Sequence, residues 1–199
     1  MHWLLKMLGS VAAMSVFFAA YFWILNHPFF PLTTIPRTLP DTWVPFAPAA
    51  LWLYVSLWVY VPLAPALLAT RRELLRHLAA AAALSAVGFA VFLLWPTAVP
   101  TPDVGAPGAP SLAYLKAVDA SGNAFPSLHV AFAVFTAAAF GRILRGLGAG
   151  VLARAANGAW CLGIVYSTVA IRQHVALDAL AGAALGALVV FAQRRLEKA

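Results

Sequence analysis

The chain has 199 residues, of which 63% are hydrophobic and only 10% charged, with a mean hydropathy of +0.87. Soluble domains carry about a quarter charged residues, so a soluble globular fold is excluded. The net charge of +7 would suit nucleic acid, but the basic residues stand in small groups between apolar runs, which excludes that partner too.

Six apolar runs are long enough to cross a bilayer, and they predict spans at about 3–25, 48–69, 77–95, 127–147, 155–171 and 174–192. Lipid offers the backbone no hydrogen-bond partners, so the spans are expected as helices, and no run alternates with a period of two as a membrane barrel would. The first run is longer than the apolar part of a signal peptide and lacks a clear small-residue cleavage pattern before "YFW", so it is expected to stay as a helix. The predicted fold is therefore all-α: a single membrane domain over 1–199 built as a six-helix bundle.

Between the first and second runs, "NHPFFPLTTIPRTLPDTWVPF" (Asn26–Phe46) carries five prolines and four large aromatics. Proline opposes a long helix and aromatics suit the headgroup level, so this segment is expected to lie along the interface. Pro62 and Pro65 predict a kink in the second span. A second long connection, 96–125, is again rich in proline, and connections of that length usually carry function. The remaining connections are short and basic.

The basic residues set a topology. Lys6, Arg71, Arg72, Arg76, Arg142, Arg145, Arg154, Arg194, Arg195 and Lys198 fall at alternate ends of the runs, against Arg37, Lys116 and Arg172 on the other side. By the positive-inside rule both termini are cytoplasmic. Cys161 is the one cysteine, so no disulfide framework or cysteine-based metal site is expected.

Two histidine motifs then share the outer face. "NAFPSLHVAF" (Asn123–Phe132) places His129 at the start of the fourth span, and "STVAIRQHVALD" (Ser167–Asp178) places His174 at the start of the sixth. Asp178 lies about one turn inside that span, where a carboxylate costs about 2.5–3.5 kcal/mol unless it finds a partner. His174, four positions earlier, shares its face, and Gly182 and Gly186 continue that ridge as a seam for close helix approach. Ser127 can cap the fourth helix after Pro126, and a helix start also offers amides and a positive dipole end to phosphate. For each motif alone a plain structural role stays open: a buried polar pair that fixes packing, or a capped histidine facing water.

Taken as an ordered set, "PSLH" (Pro126–His129) and "ST…RQHVALD" (Ser167–Asp178) resemble the second and third motifs of the type 2 phosphatidic-acid phosphatase superfamily. "STVAIRQHVALDALAG" looks most like its branch of inositol phosphorylceramide synthases and related bacterial proteins. The resemblance implies His174 as a nucleophile that forms a phosphohistidine, Asp178 as the residue that orients it, and His129 as general acid and base. It implies Ser127 and Ser167 at the phosphate, and it implies neither cofactor nor metal.

The chain departs from the family at its cations. Thr168 stands where many members have an arginine, and "WPTAVPTP" (Trp95–Pro102) offers Thr101 in place of another arginine, with no matching lysine. Phosphoryl transfer needs positive charge, so Arg172 is the expected substitute, with Lys116 and Arg37 behind it. The implied activity is a lipid phosphatase acting on a membrane lipid phosphate or diphosphate at the outer leaflet. The alternatives are a lipid phosphotransferase that passes the phosphoryl group to an alcohol, and a non-catalytic lipid-binding member of the fold. A metal site built from His129, His174 and Asp178 is a further, minimal reading. The expected setting is an integral multi-pass protein of the cell (inner) membrane with its site on the extracytoplasmic side and the lipid bilayer as its surroundings; oligomeric state is not legible.

Overall fold

The computed structural model describes residues 3–100 and 122–197, and over these the chain is mostly helical. The helices are α1 (Trp3–Asn26), α2 (Leu39–Trp43), α3 (Leu51–Val55), α4 (Leu57–Leu67), α5 (Arg71–Leu94), α6 (Leu128–Gly146), α7 (Val151–Ala170) and α8 (Ala176–Leu196). Among the described residues, five segments are long and apolar enough to cross a membrane: Leu8–Asn26, Pro48–Leu67, Arg71–Leu94, Leu128–Gly146 and Ala176–Leu196. Helix α7 forms over 20 residues but is not among them, because Arg154 and Asn157 lower the hydropathy of its first turns.

Local chemistry moves several boundaries away from those expected. Helix α5 begins at Arg71 rather than His77, because Thr70 Oγ1 accepts from Glu73 N (3.1 Å) and Glu73 Oε2 accepts from Thr70 N (2.9 Å). That reciprocal capping box satisfies two amides of the first turn and starts the helix ahead of its apolar part. Helix α7 begins at Val151 rather than Ala155, after a turn in which Gly148 takes φ +66°. In the second run, regular geometry lapses at Ser56, upstream of Pro62 and Pro65, which both lie inside α4. Helix α8 begins at Ala176, so His174 precedes the helix instead of opening it.

Helix α6 is the centre of the bundle. One side packs with Ile24, Leu84, Phe92 and Val190 from α1, α5 and α8. Another meets Leu57, Tyr60, Cys161 and Ile164 from α4 and α7. A third meets Val169 and Ala179. The α6–α8 contact is the most extensive, and the glycine seam explains it. A Cβ on Gly182 would lie 2.2 Å from the Ser127 carbonyl oxygen, and one on Gly186 would lie 2.5 Å from that of Ala131. Backbone atoms cannot yield as a side-chain tip can, so only glycine allows the two axes to approach this closely.

At the end of the bundle where α6 begins, two short strands clasp distant segments. β1 (Thr33–Thr34) pairs in parallel with β2 (Thr97–Ala98), and Thr97 also bridges to Asn123. Thr97 is fully buried: its N–H donates to Gly122 O (3.0 Å), its carbonyl accepts from Ala124 N (3.2 Å), and its hydroxyl oxygen accepts from Phe125 N (2.8 Å). Asn123 donates to Tyr21 O at 3.1 Å. Together these bonds fix the backbone immediately before "PSLH". At the opposite end Lys6 reaches the carbonyls of Ala66 and Leu68, which ties the start of α1 to the end of α4.

Candidate active site

Ser127 is the N-cap of α6, and its hydroxyl oxygen accepts from Val130 N at 3.2 Å. Its own N–H donates to the Asp178 carbonyl at 3.0 Å, so the starts of α6 and α8 are joined through the backbone. The side chain is fully buried. Capping, which the sequence allowed for, is therefore one of its uses.

The His174 motif is built from the end of α7. Its last turn closes with Ile171 N on Ser167 O, and the chain then passes through Arg172 at φ +60°. The Thr168 carbonyl accepts from both Gln173 N and His174 N at 3.0 Å. Val175 N donates to Asp178 Oδ2 at 3.1 Å, and the same oxygen lies 3.5 Å from His174 Nδ1. His174 and Asp178 are thus neighbours across a helix start and not along a helix face, and Nδ1 makes no hydrogen bond at that distance. Asp178 is fully buried, and its Oδ1 has no protein hydrogen-bond partner. With Nδ1 turned to the carboxylate, Nε2 is the nitrogen left for chemistry.

His129 lies in the first turn of α6, stacked on Tyr54 with ring centroids 3.8 Å apart and planes 9° from parallel. Its Nε2 is buried without a protein partner. So the structure gathers His129, His174, Asp178 and Ser127 at one end of the bundle.

The remaining expected phosphate ligands are placed differently. Ser167 is buried and its hydroxyl donates to Ile164 O at 2.6 Å; that of Thr168 donates to Val165 O at 2.8 Å. Arg172 turns its terminal nitrogens to the carbonyls of Val44 (3.0 Å), Asp41 (3.3 Å) and Val169 (3.5 Å). Arg37 is exposed on the segment between β1 and α2. Lys116, Thr101 and Pro102 lie outside the described residues. Among the described residues, no group of three or more His, Cys, Asp or Glu side chains could hold a metal ion.

Three residues of this region escaped the sequence reading. Tyr54 forms the floor under His129, yet in the sequence it is one more aromatic in an apolar run. Gln173 carries a buried amide nitrogen without a protein partner, and nothing but its place beside His174 could have marked it. Asp41 is 3% exposed and accepts Ala176 N at 2.7 Å, 135 residues away in sequence. The Thr38–Asp41 spacing marks only a local helix cap, and nothing in it points to Ala176.

The arrangement sets an imidazole beside a carboxylate and a second imidazole at a helix start, residue types able to attack a phosphorus centre and manage one proton. A model of the PAP2 superfamily matches residues 73–198, which takes in α5 from Glu73 onward, α6 to α8 and both histidine motifs. No curated protein and no solved structure matches the chain. Members of that superfamily are generally phosphoesterases or phosphotransferases. With the matched residues covering more than half its length, the chain belongs to the PAP2 superfamily.

Proposed function

We propose that the protein is a lipid phosphatase that takes the phosphate from a lipid phosphate or diphosphate at the outer leaflet, through a phosphohistidine on His174. The observation that supports this reading is the 3.5 Å approach of Asp178 Oδ2 to His174 Nδ1, an orientation that would leave Nε2 for the substrate. The Nε2 lone pair attacks phosphorus and the phosphorus–oxygen bond to the lipid breaks. Protonated His129 gives its proton to the leaving oxygen. Asp178 offsets the positive charge that develops on the phosphorylated imidazole. Water then enters, gives a proton to His129 and attacks phosphorus; the phosphorus–nitrogen bond breaks and phosphate leaves.

Phosphoryl oxygens would be met by the α6 start at Ser127, with the Gln173 amide behind it, and Ser167 could join only by releasing the Ile164 carbonyl. Arg172 could join them only by releasing the carbonyls of Asp41 and Val44. Lys116 and Arg37 remain the other candidate cations.

In this reading α7 also crosses the membrane, as the fifth of six spans, both termini are cytoplasmic, and the chain is a multi-pass protein of the cell (inner) membrane. The branch resemblance and the threonine at 168 favour a second reading, in which an alcohol and not water meets the phosphoenzyme, as in inositol phosphorylceramide synthases. A non-catalytic, lipid-binding role is the third.

The test is phosphate release by detergent-purified protein, with EDTA present, from phosphatidic acid, phosphatidylglycerol phosphate and a polyprenyl diphosphate. Release that persists with the chelator and disappears in His174→Ala is the expected result. Transfer to an added alcohol with little release would favour the phosphotransferase. Silence with every lipid and acceptor, from folded protein, would leave the non-catalytic role.

A further inference from the structure

The turn that carries His174 is held by a segment far from it in sequence. From Ile171 to Ala176 each backbone N–H has an acceptor: Ser167 O, Val169 O, Thr168 O twice, Asp178 Oδ2 and finally Asp41 Oδ1. The first five belong to the motif itself. The sixth comes from the strap that joins β1 to α3.

Asp41 is committed on both oxygens. Oδ1 takes Ala176 N at 2.7 Å, while Oδ2 takes Thr38 N at 2.7 Å and the Thr38 hydroxyl at 2.8 Å. The bond is returned: Arg172, in the same turn, donates to Asp41 O and Val44 O. A side chain of the strap thus holds the backbone of the turn, and a side chain of the turn holds the backbone of the strap. Arg172 stands at φ +60°, which an L side chain adopts at a cost of about 1–2 kcal/mol, so the surroundings must impose it. Val44 fills the junction where Val130 of α6, Val169 of α7 and Ala179 of α8 meet, and Ala47 N donates to Ala170 O at 3.0 Å.

We propose that Asp41 is a positioning residue for the His174 nucleophile, clasping the strap to the α7–α8 turn so that Nε2 is aimed at phosphorus. This rests on the assignment of His174 as nucleophile in the proposed function. A misplacement of about 1 Å can cost about 100-fold in rate, so a clasp two residues from the nucleophile has the leverage required.

The experiment compares wild type, Asp41→Ala and Asp41→Asn in detergent, with EDTA and phosphatidic acid, phosphatidylglycerol phosphate and a polyprenyl diphosphate as probes. It reads kcat and KM for phosphate release, and amide exchange of the 171–177 stretch by mass spectrometry. Asp41→Ala is expected to lower kcat about 100-fold with KM within about threefold, and to speed exchange of the stretch about tenfold or more. Asp41→Asn keeps an oxygen for Ala176 but loses the acceptor for Thr38, and should fall between; it also serves if the alanine variant does not fold. Trp43→Ala, an exposed change on the same strap, should leave both readouts at wild-type values.

Three results overturn the proposal: exchange unchanged, exchange faster with kcat unchanged, or KM raised with kcat unchanged. A wild-type protein silent on every lipid removes the phosphatase reading and the positioning role with it. The exchange data then still report whether Asp41 holds the turn, which keeps the two failures distinguishable.

Discussion

The starts of α6 and α8 lie side by side, joined by the bond from Ser127 N to Asp178 O, yet they are finished in opposite ways. Helix α6 is capped by a neutral hydroxyl and has no acid in its first turn. Helix α8 has two carboxylates at its start, Asp178 on Val175 N and Asp41 on Ala176 N. A helix start carries roughly half a positive charge. At α6 that charge remains for an anion; at α8 it is already answered by the two carboxylates. One start is suited to receive phosphate and the other to hold the histidine that attacks it.

If the division of labour is right, the largest effect comes from removing the attacking group. His174→Ala should lower phosphate release by at least about 10³-fold while thermal unfolding changes little, because the ring makes few bonds that hold the fold. Equal activity in the variant would move the nucleophile elsewhere and dissolve the contrast. His129→Ala, on the phosphate-receiving side, should cost about 10²–10⁴-fold with a lipid alkoxide as leaving group. With an aryl phosphate, whose leaving group needs no proton, the loss should shrink markedly. A loss independent of the leaving group would mean that His129 serves by stacking on Tyr54 and not by donating a proton.

Much of this arrangement could be read before the fold was known, and the unread part has common causes. Hydropathy located the apolar runs, because lipid selects for composition over a whole span. It misplaced the starts of α5 and α8, because those are decided by single side chains: Glu73 caps ahead of the apolar stretch, and Asp178 and Asp41 claim the amides that leave His174 outside the helix. The ordered motifs singled out His129, His174 and Asp178, which the fold brings to one end of the bundle. Tyr54 and Asp41 were invisible as partners, since each acts across a large sequence separation that no local spacing encodes. Nor could two-residue strands be foreseen, for Thr33–Thr34 and Thr97–Ala98 are too short to show a period. Arg172 was read as a free cation because its charge was visible and the carbonyls that engage it were not.

The next effect in size tests the approach of the two helix starts. Gly182→Val places branched carbon against the Ser127 carbonyl, where even one Cβ would lie at 2.2 Å. Overpacking of this kind costs about 1–3 kcal/mol, so unfolding should shift down by several degrees, roughly 2–4 °C per kcal/mol at this chain length. Activity should fall with it, since displaced helices separate His129 from His174. Full activity in a stably folded Gly182→Val protein would mean that the seam serves packing alone.

The smallest expected effect probes the neutral cap itself. Ser127→Ala removes the oxygen that accepts Val130 N and should cost about 1 kcal/mol, read as a shift of roughly 2–4 °C in thermal unfolding. If the hydroxyl only caps, kcat and KM stay at wild-type values once the loss of folded protein is corrected for. If the α6 start receives phosphate, KM rises as well, by about tenfold for one lost hydrogen bond to a charged group. That rise has to be absent from a variant that weakens α6 equally at a distance, such as Thr136→Gly in the same helix. Only then does the neutral cap differ in purpose, and not merely in charge, from the carboxylates that finish α8.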